Sequence, residues 1–274
     1  MLKVEQHGAV VKFLSARTIL GRAFYHTAAY CMDGLLIDTG CAHAAPELLR
    51  SLDSLPVAQI VNTHSHEDHI GANGPLQRER GATIWAHALA LPILADPKLQ
   101  HLQLYRRFFW GWPEPSQASP VGEWLETRQY RFQVIHTPGH SPDHICLHEP
   151  EQGWLFSGDA YIGGRDRAAR PDYDMYQIID SLKKLAALPL TRIFPASGTV
   201  RDNPVAGIQR KIDHLEELGA EVHRLHDMGL DVAAIKRRLF RTESHITYLT
   251  HGHFRASHLI RSYLRGKTPP RVSR

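Results

Sequence analysis

The chain has 274 residues, 43% of them apolar or aromatic and 22% charged, a balance that suits one large globular domain with a small appendage and excludes disordered and collagen-like classes. No apolar run approaches the roughly 18 residues that a spanning helix needs, and the opening MLKVEQHGAV lacks the charged start and apolar block of a secretory signal. The cytoplasm is therefore the expected compartment and no membrane partner is expected. Net charge is +4, and residues 255–274 hold six basic side chains and no acidic one, which reads as a frayed, solvated terminus in preference to a nucleic-acid or lipid contact.

The chain opens with strands. Residues 8–14 (GAVVKFL) are β-branched and apolar, and residues 25–38 (YHTAAYCMDGLLID) read as two short strands around the hairpin dipeptide Asp33-Gly34. Residues 46–52 (PELLRSL) predict a helix with proline in its first turn, and residues 58–62 (AQIVN) a buried strand that runs straight into a histidine cluster. Further short strands are expected at residues 83–86, 130–136, 144–148, 154–157 and 192–195, with helices at 175–188 and 206–226. Residues 96–120 break that rhythm: Tyr105, Phe108, Phe109, Trp110 and Trp112 precede Pro113, Pro115 and Pro120, as in a short aromatic helix followed by a constrained loop. Two more helices are expected between residues 231 and 264, at VAAIKRRLF and FRASHLIRSYL.

Cys31, Cys41 and Cys146 are odd in number, widely spaced and outside any C-x-x-C, so they read as reduced, buried thiols and indicate neither a disulfide framework nor a zinc ribbon. The unusual feature is 19 histidines, since imidazole is the commonest metal ligand. Residues 62–70 read NTHSHEDHI, which packs His64, His66, Asp68 and His69 into six residues directly after an apolar strand. His64 and His66, two apart, can point the same way in an extended stretch, while Asp68 and His69 face a neighbouring position once the chain turns. That pattern suits two adjacent metal ions. Nitrogen-rich sites with a carboxylate favour zinc, with iron or manganese as alternatives.

The HSHEDH stretch resembles the H-x-H-x-D-H signature of the metallo-β-lactamase superfamily. The resemblance extends to TPGHSPDH at residues 137–144, FSGDA at 156–160 and LLIDTG at 35–40, in the family's order. It implies an α/β fold, the αββα sandwich with a dinuclear site at one edge, over residues 1–226, followed by a short C-terminal helical extension and basic tail at 227–274. Carried over position by position, it implies that His64, His66 and His140 hold one metal and that Asp68, His69 and Asp159 hold a second, with Asp159 shared and one or two zinc ions per chain. A water between the metals would be the nucleophile, and Asp68 would orient it or carry its proton to the leaving group.

One motif departs from the family. Residues 194–200 read FPASGTV, with Ser197 where the family usually places the histidine that completes the second metal. A weakened second site is the favoured reading; a single-metal enzyme and a replacement from His251, His253 or His258 are the alternatives. His144 is expected to support the ligands by hydrogen bonding, and Glu67, in a variable slot, is expected at the surface, with hydrogen-bonded support of the ligands as its alternative. Residues 105–112 are expected to form a lid or pocket wall, with core or a homodimer face as alternatives. Arg165, Arg167 and Arg170 could meet an anionic group, but read more simply as a solvated loop.

Within the family, redox di-iron members typically carry glutamate where His66 stands, the nucleic-acid-processing branch has a long second domain, and secreted β-lactamases carry signal peptides. The resemblance therefore implies a metal-dependent hydrolase that attacks a thioester, lactone or other small acyl ester with a metal-bound hydroxide, its partner a small-molecule substrate. A weakly active metal-binding ligand sensor and a phosphodiesterase are the alternatives.

Overall fold

A computed structural model of the chain describes residues 1–19 and 22–266. Part of the basic tail thus lies outside the described residues. The chain forms two compact units: the first comprises Met1–His136, Asp143–Ile162 and Pro189–Asn203, and the second Thr137–Pro142, Gly163–Leu188 and the described part of Pro204–Arg274.

The first unit holds two mixed sheets. Strands β1 (Leu2–His7), β2 (Val10–Ile19), β3 (Arg22–Met32), β4 (Leu35–Ile37), β5 (Gln59–Val61), β6 (Thr83–Ala86) and β7 (Ala118–Pro120) lie in chain order in one seven-stranded sheet. Its first four strands pair antiparallel, and the pairs from β4 to β7 are parallel. Strands β8 (Trp124–Glu126), β9 (Arg131–His136), β10 (Ile145–Glu149), β11 (Trp154–Gly158), β12 (Arg192–Pro195) and β13 (Arg201–Asp202) form the second sheet, in the order β13-β12-β11-β10-β9-β8. Only β11 and β12 pair parallel there.

Alternation along the central strands explains why they read as continuous apolar runs. Tyr30, Leu35, Ile37 and Val61 face the second sheet and pack with Phe132, Ile145, Leu147, Phe156 and Phe194. Their neighbours Cys31, Leu36 and Ile60 point the other way, into a cluster with Leu48 and Leu52 of α1 (Ala45–Ser51) and the residue after it, Leu76 of α2 (Asn73–Arg80) and Leu94 of α3 (Leu91–Ala95). Each such side chain contributes roughly 1.5–3 kcal/mol on burial. The β3–β4 turn is the one expected: Asp33 and Gly34 both take positive φ, 45° and 81°, as a tight hairpin requires.

Between β6 and β7 lies α4 (Leu104–Trp110), the short aromatic helix anticipated from the sequence. Tyr105 and Phe109 are buried, whereas Phe108 is 48% exposed, with the Arg17 guanidinium 4.2 Å from its ring centre. One face of α4 is thus core and the other open.

The second unit is helical: α5 (Met175–Ala186), α6 (Val205–Asp227), α7 (Val232–Leu239), α8 (His245–Leu249) and α9 (Ala256–Leu264). Asp174 caps α5 by accepting from the Tyr176 and Gln177 amides at 3.0 Å, and Asp231 caps α7 through the Ala234 amide at 2.7 Å. Gly219 of α6 leaves room for the Tyr263 ring of α9, which a Cβ would meet at 2.8 Å, and the Tyr263 hydroxyl donates to Leu215 O at 2.7 Å. Arg170, expected in a solvated loop, is 8% exposed and paired with Asp172 at 2.8 Å. Among the described residues no helix is long and apolar enough to cross a membrane.

Candidate metal centre

β5 delivers the histidine cluster into a loop, residues 62–72, which ends where α2 begins. Asn62 and Asn73 close its base with reciprocal amide hydrogen bonds of 3.2 and 2.7 Å, and the Thr39 hydroxyl donates to Asn73 Oδ1 at 2.9 Å. Both asparagines are fully buried, so each amide depends on these partners in place of water. Gly71 crosses the turn after β4 so closely that a Cβ there would lie 2.2 Å from the Ala42 nitrogen. A side chain at 71 would push the loop off its seat. At the far side of the loop, Asp143 Oδ2 accepts from the Ser65 amide at 2.8 Å.

Asp38, just beyond β4, organises the interior of the loop. Its Oδ1 accepts from the Thr63 amide and its Oδ2 from the Thr63 hydroxyl, both at 2.8 Å, and Oδ2 also pairs with His69 Nδ1 at 2.8 Å. That bond fixes the His69 ring with its Nε2 facing Asp68 at 3.7 Å and Asp159 at 3.8 Å. His64 is fully buried; its Nδ1 lies 3.1 Å from the Thr63 hydroxyl and its Nε2 2.8 Å from His66 Nδ1. Asp68 is steadied by the Thr27 hydroxyl, which donates to Oδ2 at 2.9 Å. Asp159 follows β11, where the Gly158 backbone approaches so closely that a Cβ would sit 2.8 Å from both His144 Nε2 and the Thr63 hydroxyl. The expected supporting role of His144 takes a definite form: its Nε2 accepts the Asp159 amide at 3.1 Å.

His64, His69 and Asp159 thus each offer a ligand atom within 4.8 Å of one another. The donor set fits a divalent cation. His69 Nε2 is buried with no hydrogen-bond partner and faces two carboxylates at distances too long for good hydrogen bonds, an arrangement that a cation between them would satisfy. Burial opposes charge on the His69 ring, but Asp38, Asp68 and Asp159 outweigh it and hold its pKa well above the ordinary imidazole value. Burial, reinforced by Glu67 and Asp159 and opposed by His69 and Thr27, pushes the Asp68 carboxyl up to about 6.

One expectation needs amendment. Glu67 is not at the surface: it is fully buried and forms a bidentate pair with Arg106 of α4, Nε donating to Oε1 at 2.6 Å and Nη2 to Oε2. A carboxylate in that position requires a countercharge, and the one it uses lies in the aromatic segment. The distal His251, His253 and His258, one option for replacing the missing ligand, belong to no cluster of three potential metal ligands among the described residues. Ser197 follows β12 in the first unit, its hydroxyl 3.5 Å from Ile162 O. His140 lies in the second unit, its ring 4.8 Å from that of Tyr173, on a turn whose Gly139 carbonyl accepts the Asp174 amide at 3.0 Å.

The sequence model of the metallo-beta-lactamase superfamily matches residues 31–197, more than half of the chain. The chain belongs to this superfamily. A metallo-beta-lactamase family protein from Thermus thermophilus superposes with a TM-score of 0.68 at 20% identity, covering 94% of this chain and 96% of that one; at that identity the likeness concerns the α/β sandwich and its C-terminal helices. A solved structure in a di-iron-bound form is 31% identical, with a TM-score of 0.55 over 68% of this chain and 93% of that one. The atrochrysone carboxyl ACP thioesterase of Aspergillus fumigatus is 27% identical over 193 residues, 69% of this chain. The aligned region spans only 54% of that thioesterase.

Proposed function

We propose that this member of the superfamily is a metal-dependent hydrolase of a thioester, lactone or other small acyl ester. The observation that carries the reading is the buried, unpartnered Nε2 of His69 between the carboxylates of Asp68 and Asp159. His64, His66 and His140 would hold one metal and Asp68, His69 and Asp159 a second, with His140 assigned from its place in the third motif. Zinc is the expected ion because imidazole nitrogen dominates the set, and the di-iron relative makes iron the main rival. A bound divalent ion would acidify a water and polarise the acyl carbonyl.

The chain's own groups supply the rest. Asp38 holds His69 in one orientation, and His144 holds the backbone of Asp159, so neither ligand needs to reorganise during turnover. Asp68 is the proton carrier. Its Oδ2 accepts from the Thr27 hydroxyl, which fixes the direction of the carboxylate, and its side chain is 17% exposed, so it can orient the attacking water or pass its proton to the leaving group. The similarity to a thioesterase supports an acyl substrate. We assign the hydrolase to residues 1–226, with residues 227–274 as an extension, and expect it to work in the cytoplasm on a small molecule.

The deciding experiment is turnover by metal-analysed protein against a panel of thioesters, lactones and phosphodiesters. Hydrolysis of an acyl ester that is lost with chelator and regained with zinc supports the reading, whereas preference for a phosphodiester contradicts it. Metal binding without turnover of any member would favour a ligand sensor, the alternative that Ser197 supports by withholding a nitrogen from the second site.

A further inference from the structure

Glu67 takes no part in the proposed ligand set, yet it stands in the chain between His66 and Asp68 and is fully buried. Its countercharge is Arg106, itself 4% exposed, which grips both carboxylate oxygens through Nε and Nη2. A guanidinium fork on a carboxylate fixes direction as well as distance. α4, which carries Arg106, has seven residues, too few to persist as an isolated helix, and is tied down elsewhere. Arg17 donates to Phe108 O, His43 Nε2 lies 3.3 Å from Arg107 O, and the Phe109 ring meets Tyr25 edge-on at 4.7 Å. The fork therefore has a fixed base. Its far end restrains the backbone from which His66 and Asp68 project on either side of Glu67.

We propose that Arg106 is a positioning residue for the metal loop: through Glu67 it fixes the backbone that aims His66 and Asp68, and so links metal binding to the order of α4. The proposal rests on the reading of residues 62–72 as a metal-binding loop. The competing explanation is that the pair does no more than neutralise a buried charge, in which case two well-packed apolar residues should serve as well.

The test compares the full-length wild type with R106K and with the double variant E67M/R106M. Zinc affinity would be read by competition with a chromophoric chelator, stability by thermal melting, and α4 by hydrogen exchange of residues 104–110 with and without zinc. In the wild type zinc should slow exchange across α4. The double variant should melt near the wild type yet bind zinc about tenfold to a hundredfold more weakly, the range typical when a group that orients a ligand is lost, and zinc should no longer protect α4. R106K keeps the charge but loses the fork, so it should show a smaller loss of affinity; it carries the test by itself if the double variant does not fold. Wild-type zinc affinity in either variant, with zinc-dependent protection of α4 retained, would overturn the proposal while leaving the metal site intact. A wild type that takes up no zinc would instead defeat the metal reading, and the proposal with it.

Discussion

Two strand ends in the first unit carry turns built in opposite ways. After β5, residues 62–72 form a buried polar loop in which Asn62, Thr63, His64 and His69 are at most 1% exposed and are held by Asp38, Thr39 and Asn73. After β12, the turn through Ser197 is held mainly by backbone: Ala196 donates to Gly158 O at 3.0 Å, Ala28 donates to Ala196 O at 2.8 Å, and the Lys12 ammonium donates to Gly198 O at 2.8 Å. Gly198 takes a φ of 76°, which few side chains tolerate, and the Ser197 hydroxyl makes only a 3.5 Å contact. The second turn keeps a defined backbone but offers no strong metal donor. Backbone geometry and donor chemistry are separable: this chain has the first at both places and the second at one.

The largest expected effect comes from removing a donor from the first turn. Substituting His66→Ala should weaken metal binding by more than about a hundredfold, beyond what loss of a merely orienting group costs, while the chelated protein melts close to the wild type. Equal metal affinity in the variant would contradict the ligand assignment. Next, Asn73→Ala should destabilise the protein by about 1–3 kcal/mol, because it takes the donor from the buried Oδ1 of Asn62, whereas Ser197→Ala should stay within about 0.5 kcal/mol. Chemical denaturation checks both; similar losses at the two turns would erase the contrast between them. Substituting Ser197→His should supply the missing nitrogen, raise affinity at the second site by about tenfold on the same reasoning, and increase hydrolysis. If the variant binds no more metal than the wild type, the second turn does not face the site.

The smallest effect is on the pH dependence of stability. In metal-free protein the raised pKa of His69 contributes stability that is complete below the unfolded imidazole value of about 6.5 and is lost as pH rises through the folded value. Asp68, raised to about 6, adds a penalty that grows as pH rises from about 4, its unfolded value, through its folded one. Both make the site less favourable toward alkaline pH. The difference in Tm between chelated wild type and chelated His69→Asn should therefore move against the wild type as pH rises above about 6.5, where the unfolded His69 ring gives up its proton before the folded one does, and saturating metal should reverse the trend. A difference that moves the other way would mean that the carboxylates around His69 do not dominate its charge.

Much of this was legible in the sequence, for physical reasons. Strands buried on both faces produce apolar runs, and β6 and β12 fall at the expected residues. By contrast, β1 is exposed at four of its six positions along LKVEQH, and α2, NGPLQRER, has Leu76 as its one large apolar side chain, so periodicity marks neither. The motif loop announced itself because its donors lie within six residues. The burial of Glu67 did not, since its counterion lies 39 residues away in a segment marked in the sequence by its aromatics, where nothing local pairs an arginine with the loop. Asp38 was visible only as part of LLIDTG, and its grip on both Thr63 and His69 depends on β4 and β5 lying side by side.

Metal content tests the central claim most directly. Purified protein, stripped and then reconstituted with limiting zinc, should retain close to one metal per chain by elemental analysis, with a second ion taken up only at higher metal concentration because Ser197 supplies no imidazole. Protein that retains no zinc, iron or manganese and takes none up on reconstitution would contradict it.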